Sequence, residues 1–516
     1  MSEPRQINPW LIAISVMFAT FMEVLDTTVV NVSLPHIAGS LSVTIDEATW
    51  VLTSYLVANA IILPMTGWLA SVFGRKRLLM ISVVGFTSAS FLCGLAPNLW
   101  SLIVFRILQG ATGGALQPLS QAVLLEAFPP HERGKAMGFW GQGIVVAPIL
   151  GPVLGGWLTD NYSWRWVFYI NIPVGIASIV MTKLYIFDPS YIRQESRRID
   201  YWGLGMLAVG IGALQYVLDK GQEEDWFASR TITMLTVIAA VTLTALIVHE
   251  LTTEDPVVDL RVFKVRSYAV GVFLMAVVGF VLYGSLVLLP IMLQTLLGYP
   301  SLQAGIAMAP RGIGAFVMMQ ITGYLTGWFD PRKLLTGGLV IGGVTLLWLS
   351  QLSLQAGYWD IFWPQAIQGL GMSLLFVPLT TVAMDAIPRE KMGNATSLFN
   401  LTRNIGGSIG IAVMGTMLAR QQQATTAMLG ANVTAYDPAS QALFQQTRQA
   451  FMAAGADAAT ATSRAYAAIF GLVQRQAAMV AFVGIFQLMA ILFLALIPLV
   501  LLMKRPRRAE APAGAH

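Results

Sequence analysis

The chain has 516 residues, of which 56% are hydrophobic and only 11% charged, and its formal net charge is +5. Soluble domains carry about 25% charged residues, so this composition excludes a soluble domain and predicts an integral membrane protein. The basic residues lie in short loops between apolar runs, which excludes a nucleic-acid-binding stripe.

The first apolar run, residues 10–34, follows Arg5 and therefore has to be distinguished from a cleaved signal peptide. Glu23 and Asp26 interrupt the run and no small-residue cleavage site follows it, so we expect a first membrane helix. A carboxylate at mid-membrane costs about 2.5 to 3.5 kcal/mol. Asp26 is therefore either a polar residue facing a partner inside the bundle or a carboxyl that gains and loses a proton during transport.

Apolar runs of about 20 residues, long enough to cross a bilayer as helices, recur along the chain. We predict fourteen spans: 10–34, 49–71, 78–97, 100–125, 135–158, 164–186, 201–219, 231–251, 267–289, 302–326, 334–353, 361–384, 393–418 and 478–503. With a cytoplasmic N-terminus, most of the 31 basic residues fall on the inside. We therefore expect both termini in the cytoplasm.

An internal repeat indicates two similar halves. The segment 67–79 recurs as 323–335, the Gln109-Gly110 pair recurs as Gln368-Gly369, and the loop 130–133 recurs as 388–391. We predict an N-terminal six-helix half at 1–190, a two-helix insertion at 191–265 and a C-terminal six-helix half at 266–516. Two parallel six-helix repeats around a central cavity are typical of secondary transporters.

One long loop, 419–477, is expected on the outer side. It is rich in Ala and Gln, and Asp437-Pro438 has the pattern of a helix cap followed by proline in the first turn. We predict a helical hairpin that either lies on the membrane surface or serves as a docking arm for a partner.

Several motifs follow one another in the order typical of one transporter family. They are residues 25–35 around Asp26, the Arg106-x-x-x-Gly110 pattern of span four, the small residues and proline of span five, and the basic turn 67–77. Together they resemble the major facilitator superfamily, specifically its fourteen-helix drug:proton antiporters, and most closely EmrB-type multidrug efflux subunits. The resemblance covers about residues 11–503. It implies a major facilitator fold, all-α and integral to the bacterial inner membrane.

The resemblance implies proton coupling through Asp26, with Arg106 assisting proton transfer. A buried acid and a buried cation in neighbouring helices are each costly alone, so they should pair or take turns. A purely structural Arg106, bonded to backbone carbonyls, is the alternative. Glu23 lies three residues before Asp26 and shares its face, whereas Asn31 lies across the helix. Glu23 is thus a third proton-coupling candidate, or a selector of cationic substrates.

Small residues and a proline are candidates for gating, because glycine lets helices approach closely and proline favours a kink. They are Gly67, Gly74, Gly110, Gly151, Pro152 and Gly155, and Arg75 of the basic turn is a further gating candidate. The turn departs from the family pattern, since Ser71 and Val72 replace its acidic and basic residues. The charge relay that latches this loop in relatives is therefore in doubt.

Polar or amphipathic residues within the spans either face a substrate pocket or pack inside the bundle. These candidates are Asn31, Tyr55, Asn59, Gln109, Gln117, Gln142, Gln294, Arg311, Asn400, Arg403 and Asn404. Abundant Met and Phe would suit hydrophobic substrates of varied shape. We expect proton-driven export of hydrophobic or amphiphilic toxic compounds; the alternative is a facilitator or symporter for uptake of a polar solute.

The sequence favours no enzyme and no cofactor. It contains no phosphate-binding Gly-x-x-x-x-Gly-Lys-Ser/Thr loop and no cluster of nucleophilic or metal-ligating residues at a membrane face. The resemblance implies two protein partners, a periplasmic EmrA-like adaptor and a TolC-like outer-membrane channel.

Overall fold

A computed structural model describes residues 8–188, 200–434 and 436–503. Within these ranges the chain is helical. The helices are α1 Pro9–Leu41, α2 Ile45–Ala48, α3 Trp50–Phe73, α4 Arg75–Leu95, α5 Leu99–Gly113, α6 Leu116–Ala127, α7 Arg133–Asn161, α8 Trp166–Tyr169, α9 Asn171–Tyr185, α10 Tyr201–Lys220, α11 Arg230–Thr252, α12 Arg266–Thr295, α13 Ser301–Trp328, α14 Pro331–Leu349, α15 Tyr358–Asp385, α16 Met392–Asn432, α17 Pro438–Ala453, α18 Ala458–Ala495 and α19 Ile497–Val500. The predicted boundary near residue 190 lies outside the described residues.

Thirteen helical segments of the described ranges are long and apolar enough to cross a membrane, with α5 and α6 forming one segment and α8 and α9 another. Helix α16 is more polar, but it runs parallel to α12. A Cβ atom on Gly406 of α16 would meet the carbonyl oxygen of Ala276, and one turn further a Cβ on Gly410 would meet that of Phe280. Counting α16, the helices are consistent with the predicted fourteen spans.

The repeat found in the sequence is also visible in the packing. Helix α1 packs against α7 and α9 in the first half, as α12 packs against α16 and α18 in the second. Likewise α5 packs against α3 and α4, as α15 packs against α13 and α14. The turn that joins the second and third helices of each half has different chemistry. Gly74 adopts φ 81°, which favours glycine, whereas Asp330 caps α14 ahead of Pro331.

The halves meet at the end of the bundle that carries the turn at Gly74 and the loops near residues 131 and 389, which we call the basic-loop end. Helix α7 packs along α13, and α3 packs along α16. These contacts depend on glycine. A Cβ on Gly138 would come within 2.6 Å of the carbonyl oxygen of Met319, and one on Gly67 within 2.6 Å of Cα of Asn394. The structure is therefore closed at the basic-loop end.

The inserted helix α10 lies against both halves at the opposite end. On the α3 side, Nζ of Lys220 donates a 2.7 Å hydrogen bond to Oγ1 of Thr49. On the α16 side, Nε2 of Gln215 donates a 3.1 Å bond to Oγ of Ser408. Helix α10 thus contacts both halves at the end of the bundle opposite the basic-loop end.

The long outer segment is helical, as predicted, and Asp437 caps α17 by accepting a 2.9 Å hydrogen bond from the amide of Ser440. The two expected placements of this hairpin, on the membrane surface or as a docking arm for a partner, stay predictions. Helix α16 has 41 residues and is about 60 Å long, twice the roughly 30 Å hydrocarbon core. It is therefore longer than a bilayer crossing requires, and its last turns extend alongside the first part of α18. Helix α17 folds back on α18, where the rings of Phe444 and Tyr466 lie 4.6 Å apart.

Substitution of Gly67 by Ala tests the contact between the halves. The added methyl group would press on the backbone of Asn394, and overpacking of this kind typically costs about 1–3 kcal/mol. We expect a lower melting temperature for the purified protein. Gly205→Ala in α10 is the matched control, because a Cβ there meets nothing within 4 Å. Equal melting temperatures for both variants would contradict the contact.

Candidate functional site

The carboxylate of Asp26 is completely buried and accepts hydrogen bonds from three side chains. Its Oδ2 lies 2.6 Å from Nη1 of Arg106. Its Oδ1 accepts a 2.9 Å bond from Nε2 of Gln109 and a 2.7 Å bond from Nδ2 of Asn171. One carboxylate on α1 therefore joins α5 and α9. Charge-assisted hydrogen bonds of this kind are about twice as strong as neutral ones.

Arg106 is also fully buried and is held from several sides. Its Nε donates a 3.0 Å bond to the carbonyl of Val51, and its Nη1 donates a 2.7 Å bond to Oε1 of Gln109. Its guanidinium carbon lies 4.1 Å above the ring of Tyr55. Both sequence-derived alternatives thus describe part of the geometry, since Arg106 pairs with Asp26 and also bonds a backbone carbonyl. The role of the pair in proton transfer remains a prediction.

Two members of this network, Asn171 and Ser90, were not among the candidates. Asn171, at the start of α9, is fully buried, and its Nδ2 also donates a 3.0 Å bond to Oγ of Ser90 on α4. Within the described residues Oδ1 of Asn171 and Nη2 of Arg106 have no hydrogen-bond partner. A lone asparagine at the start of an apolar span was the available signal, because a buried amide in a membrane helix needs a partner.

Glu23, one turn before Asp26, faces the second half. Its Oε1 accepts a 3.2 Å bond from Nδ2 of Asn59, and it interacts electrostatically with Arg403 of α16. Its Oε2 is buried without a hydrogen-bond partner among the described residues. The side chain is only 9% exposed. Glu23 therefore lies between the carboxylate face of α1 and a cation of the other half, close enough to feel its charge.

Arg403 and Asn400 form a polar seam between the halves. Arg403 donates to Oε1 of Gln117 and lies 3.4 Å from Oδ1 of Asn404. One turn earlier, Nδ2 of Asn400 donates a 2.6 Å bond to Oε1 of Gln121, which was not among the candidates. Four of the predicted substrate-binding residues thus meet at the interface of α6 and α16.

The remaining candidates lie elsewhere. Tyr55 and Gln109 belong to the buried network around Asp26. The Nε2 atom of Gln142 donates a 3.0 Å hydrogen bond to the carbonyl oxygen of Phe316. Asn31 and Gln294 are exposed toward the end opposite the basic loops. Arg311 is buried within the second half, away from the seam.

The predicted gating glycines lie at close helix contacts. A Cβ on Gly110 would meet the carbonyl oxygen of Tyr55, one on Gly151 would meet Thr28, and one on Gly155 would come within 2.9 Å of the carbonyl oxygen of Val29. Pro152 lies exposed in α7 between the two glycines of that helix. Close packing of α7 on α1 therefore requires these small residues.

The basic turn keeps an ion pair although Ser71 and Val72 replace the family's charged residues. Arg75 pairs with Glu126 at the end of α6, and both side chains are buried. The Nη2 atom of Arg75 also lies 3.4 Å from the carbonyl oxygen of Arg389 in the second half. The charge relay of relatives was in doubt for this turn, and the link between the two halves that the structure shows here is made by Arg75 itself.

Known proteins resemble this chain over most of its length. Residues 16–411 match the model of the Major Facilitator Superfamily. The multidrug export protein EmrB of Escherichia coli K12 is 42% identical over 438 residues, 84% of this chain and 85% of that protein. The fatty acid resistance protein FarB of Neisseria gonorrhoeae is 40% identical over 498 residues, 96% of each chain.

Two solved structures support the fold alone, because their sequences are distant. The human organic anion transporter MFSD10 superimposes with a TM-score of 0.61 at 12% identity, covering 95% of this chain and 100% of its own. The proton:xylose symporter XylE gives a TM-score of 0.58 at 16% identity, covering 79% of this chain and 88% of its own.

Asn171→Ala tests the importance of the unanticipated network member. Removing one donor from a buried carboxylate should destabilise the protein by about 1–3 kcal/mol. We expect a lower melting temperature and impaired transport in reconstituted vesicles. Asn161→Ala is the control, since that exposed side chain bonds only the Trp157 carbonyl of its own helix. If both variants behave like the wild type, Asn171 does not support Asp26.

Proposed function

We propose a function that starts from family membership: the chain belongs to the major facilitator superfamily, whose model matches residues 16–411. It exports hydrophobic or amphiphilic toxic compounds across the bacterial inner membrane in exchange for protons. Relatives that share about two fifths of its residues are named for multidrug export and fatty acid resistance, which favours export over uptake of a polar solute.

The observation that supports proton coupling is the completely buried set of hydrogen bonds from Arg106, Gln109 and Asn171 to Asp26. Protonation of Asp26 removes the charge that holds these donors together. It thereby loosens α1 from α5 and α9, and through the Val51 carbonyl also from α3. Deprotonation restores the contacts. The proton thus controls the packing of most of the first half.

Glu23 conveys the state of Asp26 to the substrate path, because it lies one turn away and faces Arg403 across the interface. A cationic or amphiphilic substrate that reaches this interface competes with Arg403 for Glu23. Moving one charge through 100 mV supplies about 2.3 kcal/mol, whereas a tenfold substrate gradient needs about 1.4. For a neutral substrate, whose exchange for a proton moves one net charge, one proton is therefore enough to sustain a useful gradient.

The basic-loop end faces the cytoplasm in this proposal, because short cytoplasmic loops concentrate Lys and Arg. The contacts between Gly67 and Asn394, and between Gly138 and Met319, then belong to a state closed toward the cytoplasm. The opposite end, with the projecting hairpin, faces the periplasm. There the hairpin contacts a periplasmic adaptor that leads to an outer-membrane channel.

Asp26→Asn tests the coupling in inverted vesicles that contain the full chain. An amide cannot cycle a proton, so we expect gradient-driven efflux of a lipophilic dye to fall to the level of empty vesicles. Exchange of dye for dye, which moves no net protons, should survive and shows that the variant is folded. Asp160→Asn, on an exposed side chain of α7, is the matched control. Equal gradient-driven transport by wild type and Asp26→Asn would overturn the proposal.

The parallel Glu23→Gln change assigns the second acid. A proton site should lose gradient-driven transport of neutral and cationic dyes alike. A residue that only selects cations should lose the cationic dye and keep the neutral one. Unchanged transport of both dyes would remove Glu23 from the mechanism.

Replacing residues 433–457 with a short Gly-Ser linker tests the role of the hairpin tip. The described core lies elsewhere, so dye transport in vesicles should be retained. Drug resistance of cells and co-purification of the adaptor should both be lost. Full resistance with normal co-purification would show that the adaptor binds another surface.

A further inference from the structure

The two halves meet along two seams, one between α7 and α13 and one between α3 and α16. At the basic-loop end of the α7–α13 seam the backbones touch, since a Cβ on Gly138 would lie 2.6 Å from the carbonyl oxygen of Met319. Further along the same seam, a Cβ on Gly312 would still meet the side chain of Ile149. The two helices are therefore in contact from the basic-loop end as far as Gly312.

Beyond this point the α7–α13 seam is parted. Gly305 precedes Gly312 by seven residues and Gly156 follows Ile149 by seven, so each lies on the face that makes the last contact. Because the helices run antiparallel, Gly156 and Gly305 are the next pair that would touch. Among the described residues, however, a Cβ on Gly305 would meet nothing within 4 Å, and one on Gly156 would meet only Cγ1 of Val32, at 4.0 Å. A gap about 10 Å long, the rise of seven helical residues, thus separates the helices.

The corresponding part of the α3–α16 seam is covered by the insertion. Oγ of Ser408 on α16 accepts a 3.1 Å hydrogen bond from Gln215, and Oγ1 of Thr416 accepts a 2.8 Å bond from Nε1 of Trp226. Lys220, on the α3 side, is only 6% exposed. In the described ranges no comparable packing joins α10 or α11 to α7 or α13. The insertion therefore covers one seam and leaves the other free.

The gap in the α7–α13 seam lies between the lipid and α1. Both of its helices are long and apolar enough to cross the membrane, and the gap is at their ends away from the basic loops. Val153 and Met308 each lie one turn beyond the last contact of the two helices, and neither is buried. Val32 of α1, exposed behind them, belongs to the helix that carries Asp26. An apolar gap thus connects the outer half of the hydrocarbon core with α1.

We propose that this gap is a lateral portal that binds the hydrocarbon chain of a single-chain amphiphile dissolved in the outer leaflet. The chain lies between Gly156 and Gly305, and the polar headgroup remains at the water-facing end of the seam. A route through water would expose every methylene group of the chain, whereas the portal keeps it in apolar surroundings. The inference rests on the function proposed above, because it gives the path by which a membrane-soluble compound exchanges between the leaflet and the exporter.

The first experiment measures binding of the chain to the full-length protein in lipid nanodiscs. A bimane fluorophore is attached to Ile306→Cys, an exposed position beside Gly305, and nitroxide-labelled stearate in the bilayer quenches it. The native Cys93 is completely buried and stays unlabelled. We expect quenching that saturates with the labelled stearate and is reversed by unlabelled stearate.

Val237→Cys on α11 is the matched control for this measurement. Its side chain is exposed and lies about two turns from the outer end of its helix, but it borders no seam between the halves. Quenching there should rise with the amount of labelled stearate in the bilayer and should not respond to the competitor. The difference between the two positions isolates a binding site from ordinary contact with lipid.

Gly305→Trp fills the gap and tests its use in transport. The ring enters open space, so the substitution causes no overpacking. Combined with the label at Ile306→Cys, it should abolish the reversal of quenching by unlabelled stearate. In inverted vesicles, gradient-driven transport of a long-chain dye should fall severalfold more than that of a water-soluble dye. Gly205→Trp, which also enters open space but on α10, should change neither.

Quenching at Ile306→Cys that unlabelled stearate does not reverse would overturn the proposal, because ordinary phospholipid would then fill the gap. An equal loss of both dyes in Gly305→Trp would also overturn it. The quenching needs no proton gradient, and Asp26→Asn should keep it. A failed portal therefore leaves the dependence of transport on Asp26 untouched, and a failed proton exchange leaves the reversible quenching untouched.

Discussion

The buried ion pair of Asp26 and Arg106 is the interaction on which the first half depends. Isolated charges at this depth would each be costly, and the pair is tolerated because other donors and acceptors surround it. Gln109, Asn171 and the carbonyl of Val51 complete the arrangement, so four helices share one electrostatic centre. The packing of this half therefore depends on the charge of a single carboxylate, which is the basis of the proton coupling that we propose.

The second half has the same helix arrangement but a different division of tasks. Its buried cation Arg311 lies on α13, no carboxylate pairs with it among the described residues, and helix α16 supplies Arg403 and Asn400 to the interface. A duplicated fold thus carries the buried acid in one half and the cation and amide that contact the partner half in the other. Glu23 lies where these tasks meet, since it shares a helix face with Asp26 and interacts with Arg403.

Apolar runs were sufficient to predict the span positions, and the cost of burying an isolated charge was sufficient to predict that Asp26 and Arg106 should pair or take turns. Asn171 and Gln121 were missed, since an isolated amide carries no spacing signal and its partners are remote in sequence. The placement of the outer hairpin stays a prediction, because composition reports helix formation but not where a helix leaves the membrane. The partner of Arg75 could not be anticipated either, since Glu126 lies 51 positions further along the chain.

Helix α16 runs without interruption from the contact of Asn394 with Gly67, past Arg403, to the base of the outer hairpin. A continuous helix about 60 Å long that moves as a rigid body is displaced most at the end farthest from its pivot. Tilting it by about ten degrees at one end displaces the other end by roughly 10 Å, which follows from its length alone. A change in the tilt of α16 is therefore amplified at the hairpin, and in the function that we propose a protein bound there would be displaced in each transport cycle.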